Sequence, residues 1–223
     1  NRTMGLAYNF LNAPYVSGTL EKGTEEKLVV NLRQLDCWTF IDNTLVMAIT
    51  ASSPRPDFDN FVHHLRQFRY RNGVIDGYGS RIHYFSDWIL NASELGYIKD
   101  ITQELGGEKL QKNISYMTGH PGFYPALKDT AAQSKLAAAE ARINAHDWYY
   151  IRKGKIQAMQ HKIHTGDIVV FTSSKPTLDV EHQGFAIRGK DGVLRAIHAS
   201  STGKKVIISQ RPLVQYLSRL PAM

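Results

Sequence analysis

The sequence predicts an α+β domain, with helices first and an antiparallel sheet second. Two observations carry this. In the first two thirds, apolar residues recur at helical spacing, as at positions 37, 38, 41, 45, 46 and 49. The last third breaks into short runs of Val, Ile, Phe and Tyr, with Gly and polar residues between them. Helical runs followed by strand runs suit separate layers, not the alternating pattern of a parallel sheet.

Residues 1–36 are mostly irregular. Ala13-Pro14-Tyr15 and Ser17-Gly18-Thr19 mark turns, and Lys27 to Leu32 reads as a short strand. Asp36 is the N-cap of a helix whose first turn holds Cys37. Pro54 and Pro56 end it. Asp57 caps a second helix, Phe58 to about Arg71, closed by Asn72-Gly73. Ile82 to Leu90 is aromatic-rich and predicts a short helix, with His83 and Asp87 four apart on one face. Residues 97–120 show no clear period. Ala131 to Arg142 is a helix by propensity.

Strands are predicted at 148–151, 167–172, 182–188, 193–198 and 205–209, with a hairpin at Gly189 to Gly192 and a last helix from Arg211 to Arg219. No repeat or low-complexity linker interrupts the chain. Residues 1–223 therefore read as a single domain, with a mostly helical elaboration at about 54–147.

Composition narrows the function classes. Hydrophobic residues are 43% and charged residues 21% of the chain, the balance of an ordinary globular domain. No apolar run reaches the roughly 18 residues of a membrane-spanning helix. The net charge is +7. No Lys/Arg block and no basic stripe interleaved with aromatics accompanies it, which argues against a nucleic-acid partner. The charge suits a partner bearing carboxylates. His161 and His164 lack the acidic or cysteine company of a zinc site, and no metal or organic cofactor is expected.

Cys37 is the single cysteine, so no disulfide can form within the chain. A thiol in the first turn of a helix meets the positive end of the helix dipole, which favours the nucleophilic thiolate. It needs a base. His182 begins a strand far downstream, and a cysteine on an early helix with a histidine on a later strand is the papain-like arrangement. A three-residue turn at Lys190-Asp191-Gly192 would pair Gly189 with Val193 and set His182 opposite Ser200. His198 then falls one diagonal step away on the same face, where it can orient His182. A four-residue turn would put the two histidines on opposite faces.

These residues resemble the NlpC-type family of bacterial cell-wall cysteine hydrolases, which have a papain-like fold. Asp36-Cys37 resembles the family's Asp-Cys nucleophile helix, Asp179 to Gly184 its base strand, and Ile197 to Ser200 the strand of its third, orienting residue. Pro14-Tyr15-Val-Ser-Gly18 resembles its Pro-Tyr-x-x-Gly element, whose tyrosine lies beside the active site. More specifically, the chain is similar to an N-acetylmuramoyl-L-alanine amidase-like branch. The similarity rests on Tyr15 to Glu21, Leu35-Asp-Cys-Trp-Thr-Phe40, and the segment from Arg69 through Arg81 to Trp88.

The resemblance implies catalytic Cys37, His182 and His198, and a substrate site near Tyr15, Asp36, Trp38 and Arg81. Arg81 can pair with a substrate carboxylate or with a structural acid, and the structural role is preferred. Trp38 stands where the family usually has a serine that helps hold the free amine of a peptide stem. This favours cutting between N-acetylmuramic acid and L-alanine in muropeptides. The alternative is an endopeptidase cut between D-glutamate and the diamino acid. The implied partner is peptidoglycan or its fragments, met by a monomer. A periplasmic or secreted location is also implied, with a signal peptide removed ahead of Asn1.

Overall fold

The helix beginning at Cys37 forms the axis of the fold, and its start is set by its cap. Asp36 is extended and accepts the Thr39 N–H at 2.8 Å, while Thr39 Oγ1 accepts the Asp36 N–H at 2.9 Å. Such a capping box is worth about 0.5–2 kcal/mol to the helix. The computed structural model describes residues 2–21, 23 and 25–218.

In chain order the elements are α1 (Arg2–Asn9), α2 (Cys37–Thr50), α3 (Phe58–Arg69), α4 (Phe85–Glu94), β1 (Glu108–Lys109), α5 (Tyr116–Gly119), α6 (Thr130–Ala145), β2 (Tyr149–Tyr150), α7 (Lys153–Met159), β3 (Ile168–Thr172), β4 (Val180–Arg188), β5 (Leu194–Ser200), β6 (Lys205–Ile208) and α8 (Leu213–Ser218). Strands β3 to β6 form one antiparallel sheet in sequence order. The mixed α+β class is as expected. No helix among the described residues is long and apolar enough to cross a membrane.

The sheet has two buried faces. One carries Phe185, Ile187, Ile197, Ala199 and Val206, packed with Phe40, Ile41 and Val46 of α2. The Phe40 and Phe185 rings meet edge to face at 5.7 Å. The other face carries Phe171, Ala186, Leu194 and Ala196 with Leu213 of α8. A third cluster gathers Tyr84, Leu127, Leu136 and Ile143 around α6. Each buried Val, Leu, Ile or Phe among them adds roughly 1.5–3 kcal/mol by leaving water.

One polar network runs through the first core. Arg69 donates to the fully buried Asp42 at 2.6 Å and to Asn43 at 3.1 Å, and also to the Val29 carbonyl. Trp88 Nε1 adds a bond to Asp42 at 3.2 Å. Burial pushes the Asp42 carboxyl up, and the Arg69 charge opposes that. A buried carboxylate without such partners is costly.

Three sequence expectations change. Lys27 to Leu32 is not a strand. Its backbone is held instead by side chains, through Arg69 on Val29 and Asn43 on the Asn31 carbonyl at 3.1 Å, while Leu28 and Leu32 pack on the core. The helix expected from Ile82 begins at Phe85, because Ile82 N–H is bound to the Arg69 carbonyl at 2.8 Å and Arg81 bridges Tyr70. His83 and Asp87 therefore do not share a helix face. The strand at 148–151 shrinks to β2, which pairs with β1 away from the main sheet, and α7 follows it. The last helix is described from Leu213 to Ser218, and its expected end at Arg219 lies outside the described residues.

Candidate active site

Three elements bring the chosen side chains together. The segment Pro14 to Val16 runs beside Leu35. Leu35 N–H binds the Pro14 carbonyl at 3.0 Å, and Val16 N–H binds the Leu35 carbonyl at 3.1 Å. This sets Tyr15 next to the start of α2. Burial raises the Tyr15 phenol, and the nearby Cys37 and Asp36 charges add to it.

On β4 and β5 the hairpin decides the histidines. Gly189 N–H binds Val193 O at 3.0 Å, Gly192 N–H binds Gly189 O at 2.9 Å, and Gly192 has φ +76°. This is the three-residue turn, with Arg188 opposite Leu194. His182 and His198 fall on the face of Ala186 and Ala196. Their rings are 4.8 Å apart, with His182 Nε2 and His198 Nδ1 at 2.7 Å. One ring must donate. When Nε2–H of His182 donates, its Nδ1 keeps the lone pair a base needs; the reverse puts a proton on Nδ1.

The thiol meets this strand where its ladder with β5 stops. The register ends at Phe185 with Ile197, so Gln183 lies beyond it. Its backbone N–H is turned to the Cys37 sulfur. The N–H groups of Trp38 and Cys37 also point at it. These belong to the first turn of α2, where no helical carbonyl precedes them.

The electrostatics differ from the sequence expectation. Burial, then the Asp36 carboxylate, pushes the thiol up to about 12, against the three N–H groups that pull it down. Burial also holds His182 down to about 3, with the His198 charge contributing, and His198 down to about 4. The resting pair is a neutral thiol beside a neutral imidazole, not the thiolate that the helix dipole alone suggests. Asp36 is both the cap that starts the helix and a charge that keeps the proton on sulfur.

A cavity of about 950 Å³ opens on the two histidines. His182, His198, Asp179, Glu181, Trp148 and Tyr216 are on its wall, whereas Cys37, Tyr15, Trp38 and Arg81 are not. Trp38 packs its ring edge on Phe85 at 5.3 Å and joins the margin of the core. Arg81 is buried and spoken for. It pairs with Glu21 at 2.6 Å and Glu26 at 3.0 Å, and its guanidinium lies 5.1 Å from the Tyr78 ring centre. Two carboxylates already balance its charge, which is the structural role. His83 bonds the Tyr78 carbonyl at 2.8 Å, and Asp87 pairs with Arg71 and Arg142.

Sequence reading missed Tyr216. It sits on α8, 5.4 Å from the His198 ring, and near enough to Cys37 to feel its charge. No motif surrounds it, and only contact through the fold marks it.

This geometry can be set beside known proteins. Residues 5–223 match the family model described as AmiA-like, N-acetylmuramoyl-L-alanine amidase-like. The chain belongs to this family. The N-acetylmuramoyl-L-alanine amidase of Bacteroides uniformis shares the fold of this family member with TM-score 0.92 and 35% identity over 99% of this chain and 93% of that one. A Bacteroides fragilis protein, named as a proposed xylanase, shares it with TM-score 0.89 and 36% identity over 98% and 95%. A Legionella pneumophila protein at 21% identity, TM-score 0.76, covering 98% and 83%, shares the fold alone. Among curated proteins none matches.

Proposed function

We propose that the protein is a cysteine amidase that hydrolyses the bond between N-acetylmuramic acid and L-alanine in muropeptides. The observation that carries this is His182 Nε2 held against His198 Nδ1 on the wall of a large cavity, with the N–H of Gln183, the residue after His182, near enough to the Cys37 thiol to lower its pKa. Family membership and the Bacteroides uniformis amidase support the bond and the substrate class. The same placement supports a papain-like, NlpC-type arrangement. The substrate class supports a periplasmic or secreted location.

The reaction begins with both groups neutral. Cys37 sulfur attacks the lactyl carbonyl carbon as its proton passes to His182 Nδ1. The carbonyl oxygen gathers charge beside the N–H groups of Trp38 and Cys37, with the Tyr15 hydroxyl near. His182 then gives the proton to the L-alanine nitrogen, the C–N bond breaks, and a thioester remains. Water, deprotonated by His182, adds to that carbon; the C–S bond breaks and the proton returns to sulfur. The products are a muramic acid with a free lactyl carboxylate and a stem peptide with a free amine. His198 orients His182 throughout. Residues of the 54–147 elaboration, including Trp88, Tyr97 and Lys112, wall the cavity and restrict it to small fragments.

The test is mass spectrometry of products from a purified muropeptide, with wild type and Cys37→Ala in parallel. Intact stem peptide and free muramyl sugar, absent with the variant, are expected. L-Alanyl-D-glutamate fragments would move the cut into the stem and overturn the proposal in favour of the endopeptidase.

A further inference from the structure

Two features meet at His198 on β5 that the mechanism above does not use. Its Nδ1 is occupied by His182, and its Nε2 is buried with no hydrogen-bond partner among the described residues. The Tyr216 ring lies against it at 5.4 Å and 66°. Tyr216 also contacts Phe171 at 5.7 Å, and Phe171 stacks on His182 at 5.6 Å and 16°. The two histidines are thus packed against two aromatic rings, one from β3 and one from α8. Tyr216 is part-exposed on the cavity wall, whereas His198 beneath it is only 2% exposed.

The orphan nitrogen fixes a proton count. His182 can accept a proton from Cys37 only if its own proton sits on Nε2 and is donated to His198 Nδ1. His198 must then carry its proton on Nε2, the buried atom without a partner. If water reached that atom, His198 could also take a second proton, on Nδ1. That proton would be donated to His182 Nε2. The proton of His182 would then move to Nδ1, the nitrogen whose lone pair the base needs, and the base would be lost.

We propose that Tyr216 is a positioning residue that shields the outer face of His198 from water and so locks the histidine pair in the one proton arrangement that lets His182 act as a base. The inference rests on the assignment of His182 as base, but its structural part can be read without catalysis. The groups facing His198 are the His182 imidazole from β4, Tyr216 from α8 and, opposite it on β6, the apolar Ile207. Cys37 on α2 lies within electrostatic reach of the Tyr216 hydroxyl. Burial alone accounts for the low basicity of His198, and Tyr216 supplies part of that burial. The role belongs to the ring and not to the hydroxyl.

The experiment titrates the imidazoles of His182 and His198 by nitrogen-detected NMR in wild type, Tyr216→Phe, Tyr216→Leu and Tyr216→Ala. Muropeptide kcat/KM is measured against pH in parallel. In wild type and Tyr216→Phe, His198 is expected to titrate near 4. In Tyr216→Ala it rises by at least about one pH unit, with Tyr216→Leu between. The acid limb of kcat/KM moves with it, so that Tyr216→Ala loses about twofold more activity at pH 5 than at pH 7.5. A helix that only props the fold would lower kcat/KM equally at every pH. An unchanged His198 titration in folded Tyr216→Ala overturns the inference. If that variant does not fold, an unchanged titration in Tyr216→Leu does so. So does a Tyr216→Phe shift as large as that of Tyr216→Ala, which would assign the effect to the hydroxyl. Absence of cleavage by wild type would sink the amidase reading and leave the titration to judge the shield.

Discussion

Gly184 is a close point between the two strands that carry the histidines. A Cβ built there would lie 2.9 Å from His198 Cβ and 2.9 Å from the Ile197 carbonyl oxygen. Both atoms are backbone or fixed to it, so neither can rotate away. Ordinary contact begins near 3.4 Å, and Gly184→Ala must therefore part β4 from β5 by about half an ångström. Overpacking of this kind costs about 1–3 kcal/mol. The same displacement would stretch the His182–His198 contact of 2.7 Å toward the outer limit of a hydrogen bond. Since a misplacement of about 1 Å can cost about a hundredfold, half of that is expected to lower kcat/KM on the muropeptide roughly tenfold. Urea denaturation and steady-state kinetics on the folded variant measure the two effects separately. Gly5→Ala in α1 is the control, because its Cβ meets nothing within 4 Å. It should stabilise by about 0.4–1 kcal/mol. A Gly184→Ala variant with wild-type stability and activity would refute the claim that these strands are closed to a methyl group.

Two further outcomes follow from the buried charges. Arg69→Met leaves the Asp42 carboxylate buried with only the Trp88 N–H, and should cost about 3–5 kcal/mol by urea denaturation. Asp42→Leu added to it should recover much of that, and a single-variant loss below about 1 kcal/mol would contradict the assignment. Acid should weaken the fold through His83, His182 and His198, held to about 3, about 3 and about 4, chiefly by burial. Above about pH 6.5 all three are neutral in folded and unfolded chains, so they add no pH dependence. Below it the unfolded chain binds protons that the folded chain refuses, and stability falls until the folded values are reached. At about 1.4 kcal/mol per unit for each group, several kcal/mol should be lost between pH 6.5 and 4. Thermal melts across that range test this; His83→Gln should flatten the slope, and a Tm independent of pH would exclude the mechanism.

Much of this protein was legible in the sequence because the deciding physics is local. Asp36 and Thr39 are three apart and start α2 through their own side chains, which puts Cys37 in the first turn whatever surrounds it. The residues 189–192 choose a three-residue turn because Gly192 tolerates a positive φ. Counting outward from that turn puts His182 and His198 on one face.

Tertiary structure decided the rest, where partners come from distant segments. Arg81 is open to a substrate carboxylate or a structural acid until Glu21 and Glu26 are folded onto it. Lys27 to Leu32 looks like a strand, but no strand edge arrives among the described residues, and Arg69 and Asn43 hold its carbonyls instead. The thiol looks activated by its helix until burial and Asp36 are weighed together, and their sum keeps its proton in place. Tyr216 has no motif at all; only the return of α8 over the sheet sets its ring on His198. Caps and turns follow from neighbours in sequence. Burial, charge balance and the shielding of a proton depend on which distant surfaces the fold presses together, and those set the chemistry of Cys37, His182 and His198.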